Sequence, residues 1–421
     1  MNGADTAWML VACGLVLLMT PALAFFYGGL VRAKNALNTM VMSFAAFAVV
    51  GVAWAVAGYS LAFAPGNAHQ AWIGGLDHLL LAGVGLEAKG TIPHLLFFAY
   101  QGTFAIITAA LISGAIVERM RFSAYLVFIA CWTLLVYAPV CHWVWGGGWL
   151  QQLGALDFAG GTVVHVNAGM AALVAAFVLG ARKDYGHQAL LPHNVPFVLL
   201  GAALLWFGWL GFNGGSALSA GTSATLAFVN TMLAPCATLS VWMALDQIRT
   251  GRVTAVGVAT GIVVGLVAVT PAAGFISPRS ALLLGALAAL PSYWGIVWRA
   301  RTKLDDSLDV SAAHGLGGVV GALLTGVLAS AAWGGSNGHL WVQATGVLAA
   351  IVYSGGVTLV LLKLVNVVLP LRARMKDEGM GLDVVAHGEE AYGTGEGAIL
   401  VLHEAGSGHG LPSHTVAEHE A

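Results

Sequence analysis

The chain has 421 residues, of which 58% are apolar and only 9% charged, with a formal net charge of −2. Soluble domains carry about 25% charge and disordered chains are poor in apolar residues, so both classes are excluded. The near balance of charge also excludes the basic footprint of a nucleic-acid-binding protein. A helical, polytopic membrane protein remains.

A helix needs roughly 20 apolar residues to cross the hydrocarbon layer, so the uncharged stretches mark the candidate spans. Single spans fit between Asp5 and Arg32, Lys34 and Asp77, Lys89 and Glu118, Arg121 and Asp157, and Asp157 and Arg182. The stretch from Asp184 to Asp246 holds two, broken at Asn213-Gly214-Gly215. Arg252 to Arg279 and Arg279 to Arg299 hold one each, and Asp309 to Lys363 holds two, broken at Gly334-Gly335-Ser336-Asn337-Gly338. The sequence therefore predicts an all-α bundle of eleven transmembrane helices over residues 5–369, followed by a tail, 370–421. Ala22-Leu23-Ala24 resembles a signal-peptide cleavage site, but no basic residue precedes it and the apolar run continues past it, so it reads as part of a span.

With eleven spans, 15 of the 17 basic residues share one side, and only Lys89 and Arg279 fall opposite. By the positive-inside rule the N-terminus is outside and the tail cytoplasmic. The odd count with opposite termini fits a 5+5 inverted repeat plus one extra helix. Cys13, Cys131, Cys141 and Cys236 show no CxxC spacing and read as small core residues, neither disulfide framework nor metal site.

Two histidines support the repeat. His165 lies in the fifth span and His314 in the tenth, each with small residues three and four positions later (Ala168 and Gly169; Gly317 and Gly318). Each follows an acid at its helix start, Asp157 or Asp309. Matched positions in two inverted halves bring the imidazoles together near midplane, where ionisable groups mark function. The competing reading is two separate core histidines, each bonded to local backbone. Asp157 can cap orphan N–H groups or offer negative potential to a cation. Phe104, Trp145 and Phe212 form a further constellation with Ser216, and Trp145 and Ser216 fall at outer ends of spans four and six. They fit an interfacial aromatic belt with core Phe or a site where ring faces hold a cation and the hydroxyl accepts a hydrogen bond.

Several strings carry a family resemblance: Phe25-Phe26-Tyr27-Gly28-Gly29-Leu30-Val31-Arg32-Ala33-Lys34-Asn35, Gly114 to Phe122, Trp145 to Gly148, and Leu156-Asp157-Phe158-Ala159-Gly160-Gly161-Thr162-Val163-Val164-His165. Trp209 to Ser216, Asp305 to Gly315 and Gly381 to Tyr392 continue it. In collinear order from about residue 5 to 393, the chain resembles the Amt/Mep/Rh ammonium transporters, specifically their bacterial branch.

The resemblance implies a homotrimer in the cell inner membrane with one pore per subunit, carrying ammonium or ammonia, and methylammonium as an analogue, without enzymatic activity, cofactor or metal. It assigns Phe104, Trp145 and Ser216 to external recruitment of the cation, with Trp209 also lining the path. Phe104 and Phe212 become a gate, His165 and His314 the paired pore imidazoles, and Asp157 an electrostatic support. A PII signal protein is the implied cytoplasmic partner. Tyr100 departs from the expected Phe, which leaves the polarity of the upper gate open. An ammonium sensor is the alternative, although the 370–421 tail is short for a signalling domain. Beyond Tyr392 the chain matches nothing in the family; His403, His409, His414 and His419 there read as an unstructured tail or a metal-binding tract.

Overall fold

The structure, a computed structural model, describes residues 1–393; the four histidines of the terminal stretch lie outside these. The described residues are mostly helical. Ten helices are long and apolar enough to cross a membrane: α1 (Gly3–Leu30), α2 (Ala33–Phe63), α3 (His94–Ser113), α4 (Phe122–Gln152), α5 (Gly161–Leu179), α6 (Val195–Gly215), α7 (Thr222–Thr250), α9 (Pro278–Arg299), α10 (Ser311–Leu328) and α11 (Leu340–Val368). Between α7 and α9 runs an apolar helix of 15 residues, α8 (Ala255–Val269). It is shorter than a regular span because its chain turns at Thr270 and Pro271 before α9 starts.

The bundle is built on close helix approaches rather than on amphipathic faces, as lipid surroundings require. α1 lies along α6, where Gly201 is tight against the Phe26 backbone and Gly208 against the Leu15 carbonyl. α5 crosses α10, and α11 packs outside both. Another close crossing is at Gly169, where a Cβ would run into the backbone of Gly315. A Cβ on Gly318 would likewise stand 3.0 Å from the Gly161 carbonyl oxygen and 3.1 Å from the His165 Cβ. Gly169 and Gly318, each four residues after its histidine, are therefore the contact points that join α5 to α10.

The two ends differ in chemistry. At one end the segment 64–93 forms a lobe closed by a short hairpin, β1 (Ala88–Lys89) paired antiparallel with β2 (Ile92–Pro93). At the other end buried charges interlock. Glu118 accepts from Arg32 at 2.8 Å and Arg182 at 3.2 Å, while Asp305 accepts from Arg182 Nε at 2.8 Å. Burial opposes the charge on Glu118, but Arg182 and Arg32 outweigh it and hold its carboxyl below the usual carboxylate range. The tail docks at this end through α12 (Met375–Met380) and α13 (Leu382–His387). Asp383 accepts from Leu37 N at 3.0 Å and Asn38 N at 2.7 Å, capping the helical turn that follows Asn35.

Candidate functional site

Sequence and structure meet along one line through the bundle. It starts in a cup of about 170 Å³ at the lobe end, lined by Phe63, Phe97, Gln101, Phe104, Trp145 and Ser216 among others. Three of these are the residues expected to recruit a cation. α3 supplies Phe97, Gln101 and Phe104, which share one face at helical spacing. Phe97 and Gln101 were not singled out from sequence, although that spacing from Phe104 is the signal that finds them.

Trp145 is the last residue of its helical run before Gly146-Gly147-Gly148. Its Nε1 donates to the Asp157 carbonyl at 2.8 Å, which holds the indole over the cup. Ser216 caps α6, its hydroxyl donates to Phe212 O at 2.8 Å, and its oxygen, 3.3 Å from the Tyr100 hydroxyl, keeps acceptor capacity toward the cup. The departure at Tyr100 has a local explanation: its buried hydroxyl donates toward the Phe212 carbonyl at 2.8 Å and the Gly211 carbonyl at 3.1 Å. The extra polarity is spent on the C-terminal end of α6.

Below the cup, Phe104 and Phe212 stack with centroids 4.0 Å apart and planes 18° off parallel. Beyond them is a chamber of only about 10 Å³, about one water in size, whose walls include Leu23, Ile107, Val164, Trp209, His165 and His314. Trp209 thus sits on the far side of the gate from Trp145. It stacks on His165 at 5.3 Å and 22°, while its Nε1 donates to the Thr270 hydroxyl at 2.9 Å.

The two histidines meet as one unit. Their Nδ1 atoms are 3.3 Å apart and their rings are offset-stacked at 5.3 Å. A contact between two Nδ1 atoms requires one proton between them. In the neutral pair, one ring therefore presents a bare Nε2 and the other an Nε2–H. The pair offers an acceptor at one end and a donor at the other. His165 Nε2 is buried without a partner.

Local backbone makes this meeting possible. Gly161–Val166 and Ser311–Leu316 are both π-helical turns of six residues. Such turns widen the helix and reorient a side chain, and they occur frequently at functional sites. Each is capped by an acid eight residues before its histidine. Asp157 accepts from four successive N–H groups, Gly160 at 2.9 Å, Gly161 at 2.6 Å, Thr162 at 2.8 Å and Val163 at 3.1 Å. In α10 the equivalent acid is Asp306, not Asp309 as the sequence suggested. Asp306 accepts from Val310 N at 3.1 Å, Ser311 N at 2.7 Å and the Ser311 hydroxyl at 2.6 Å. Asp309 has a positive φ of 58° that turns it toward Arg299 Nε at 2.5 Å.

Past His314 the line opens into a vestibule of about 670 Å³ at the charged end, reached by Phe26, Tyr27, Asp309 and Arg299. His314, Phe26 and Val263 wall both the chamber and this vestibule. Cup, chamber and vestibule therefore lie in file, divided at the stacked phenylalanines and at the histidine pair.

Comparison with known proteins places this arrangement. The model of the Ammonium Transporter Family matches residues 7–392. A Bacillus subtilis ammonium transporter is 46% identical over 405 residues, covering 93% of this chain and 99% of its own. The crystal structure of Saccharomyces cerevisiae Mep2 superposes with a TM-score of 0.84 at 35% identity, covering 90% of this chain and 89% of that one. A solved sensor Amt protein reaches a TM-score of 0.86 at 30% identity, covering 91% and 98% of the two chains. With a family model spanning nearly every described residue and transporter relatives aligned end to end, the chain belongs to the ammonium transporter family.

Proposed function

We propose that this protein carries ammonium across the cell inner membrane, binding it as a cation in the cup and passing it as ammonia through the chamber. The observation that carries the proposal is the series of spaces in file, with the stacked Phe104 and Phe212 ahead of the His165–His314 pair. In this reading the lobe end faces outward and the charged end the cytoplasm, as the distribution of basic residues requires. α8 counts as the eleventh span, 5–369 is the transmembrane unit and 370–421 the cytoplasmic tail.

Phe104 and Trp145 hold the cation by their ring faces, and the Ser216 hydroxyl accepts one of its hydrogen bonds. Potassium is similar in size and charge, so the cup alone discriminates poorly. Ammonium can leave its proton behind, and a chamber of one-water size with apolar walls admits the neutral molecule while rejecting an ion that cannot shed its charge. The acceptor Nε2 and donor Nε2–H of the histidine pair replace the hydrogen bonds that ammonia loses with water. Trp209 shields that pair from the α6 side, and Asp157 keeps the π turn that presents His165. Methylammonium fits the same cup as an analogue. We further propose a homotrimer, and a PII-type regulatory protein docking at the vestibule.

The test is an ammonium concentration jump on proteoliposomes while recording current and internal pH. Wild-type protein responds, and the double substitution His165→Ala/His314→Ala loses ammonium selectivity over potassium. Unchanged selectivity in that variant removes the histidine pair from the mechanism. A wild-type protein that gives neither current nor pH change would favour a sensor instead.

A further inference from the structure

Lys89 is one of two basic residues apart from the large cluster of the charged end, and it sits on the β1–β2 hairpin directly behind the cup. Its Nζ lies 4.7 Å from the centre of the Phe97 ring and 5.7 Å from that of Phe63. Both rings are walls of the cup. The ammonium group donates to the Tyr59 hydroxyl at 3.2 Å and lies 3.5 Å from His94 Nε2. Tyr59 in turn bonds His94 Nε2 at 2.6 Å, and His94 Nδ1 bonds the Glu87 carboxylate at 2.8 Å. With Tyr59 donating to Nε2, the proton of a neutral His94 sits on Nδ1 and points to Glu87, so every link has one donor and one acceptor. The His78 ring packs on both, at 5.7 Å from Tyr59 and 5.3 Å from His94.

The network holds the Lys89 charge in place, and the Glu87 carboxylate, one imidazole away, offsets it only in part. Among the described residues no carboxylate lies within ion-pairing distance of Nζ. Burial lowers the Lys89 pKa from its ordinary value, the mark of a cation that gains little from its surroundings. Two further facts give the position meaning. A cation meets an aromatic face within about 6 Å of its centre, so a solute entering the cup along its Phe97 wall comes within roughly 11 Å of the Lys89 charge. The ring keeps water out of the direct line, while the open cup on its other side leaves the field within reach of salt.

We infer that Lys89 is an affinity-setting residue: its fixed positive charge on the Phe97 and Phe63 rings weakens the cup's hold on a cation and favours loss of a proton from bound ammonium. This inference rests on the cup being the cation site. Coulomb's law at that separation, with an effective dielectric constant between about 40 and 20, sets a ceiling of roughly three- to fifteen-fold on the dissociation constant, which the Glu87 charge lowers. The charge neither touches the solute nor blocks its path. It shifts the balance between tight capture and onward release.

The experiment is the ammonium concentration dependence of the proteoliposome response, at low and high ionic strength, for Lys89→Met, Lys89→Gln and Lys89→Arg. Lys89→Gln keeps a hydrogen-bond donor for Tyr59 and removes only the charge, so it stands in if Lys89→Met fails to assemble. The expected result is a half-saturating concentration lowered several-fold, by up to about fifteen-fold, in the neutral variants, shrinking as salt screens the field, with Lys89→Arg close to wild type. An unchanged half-saturation in the neutral variants overturns the inference. So does a shift that is independent of salt, or a Lys89→Arg protein that behaves like the neutral ones, because either reports packing rather than charge. Absence of any wild-type response would instead refute the transport reading itself.

Discussion

Replacing Asp157 with Asn tests what the carboxylate does at the head of α5, because the side chain keeps its shape and loses one acceptor oxygen. In the structure each carboxylate oxygen receives two backbone N–H groups: Oδ1 those of Gly160 and Gly161, Oδ2 those of Thr162 and Val163. The amide of Asn keeps one oxygen and turns an NH2 toward the other two donors. Hydrogen bonds to a charged group contribute about 1.5–3 kcal/mol each, so losing two of four costs about 3–5 kcal/mol after partial relaxation. Asp157→Ala, which orphans all four, costs more. The assay is thermal unfolding of the purified protein in one detergent, followed by tryptophan fluorescence, with transport per inserted protein measured alongside. The midpoint of Asp157→Asn falls by several degrees, and transport falls with it, because the turn that aims His165 and the carbonyl that holds Trp145 both depend on this residue. A midpoint within about a degree of wild type would refute the capping argument and leave electrostatics as the only role for Asp157.

Three further expectations follow from the geometry. Phe212→Ala removes one half of a stack at 4.0 Å and joins the cup to the chamber; potassium then carries current through proteoliposomes that exclude it in wild type, and continued exclusion would show that the gate lies elsewhere. Gly169→Ala places a methyl group against the Gly315 backbone, costs about 1–3 kcal/mol by overpacking, and separates the histidines, so uptake drops out of proportion to the change in thermal midpoint. Glu118→Gln breaks a buried network at about 3–5 kcal/mol near neutral pH. The native Glu118 pKa lies below the unfolded value of about 4.3, so its stabilisation is present above that value and is lost as pH falls through the native one. The variant therefore loses stability at pH 7 and shows a shallower further loss on acidification than wild type; parallel curves of midpoint against pH would contradict that sign.

Sparse charge alone determines much of this protein. A bilayer tolerates few ionisable groups, so their spacing marked where the helices run, and the asymmetry of basic residues gave the expected orientation. The same scarcity made His165 and His314 stand out, since each is an ionisable residue within an apolar run. Helical spacing similarly exposed the small residues beside them. The stretch from Arg252 to Arg279 reads as one full span, but its helix α8 has only 15 residues and turns complete the stretch, because hydropathy does not distinguish an apolar turn from helix.

Tertiary structure decided what contact alone can decide. The order of Trp145, the phenylalanine stack and Trp209 along one axis depends on how α3, α4 and α6 pack, and no local pattern carries it. Asp309 was nearest in sequence to His314, yet a residue with φ of 58° points away from its helix, and Asp306 takes the cap. Lys89 looked like one of two stray charges in the sequence. Only the folding of the β1–β2 hairpin over the bundle places its ammonium group on rings that line the cup, because proximity between the lobe and α3 is a property of the fold and not of either segment.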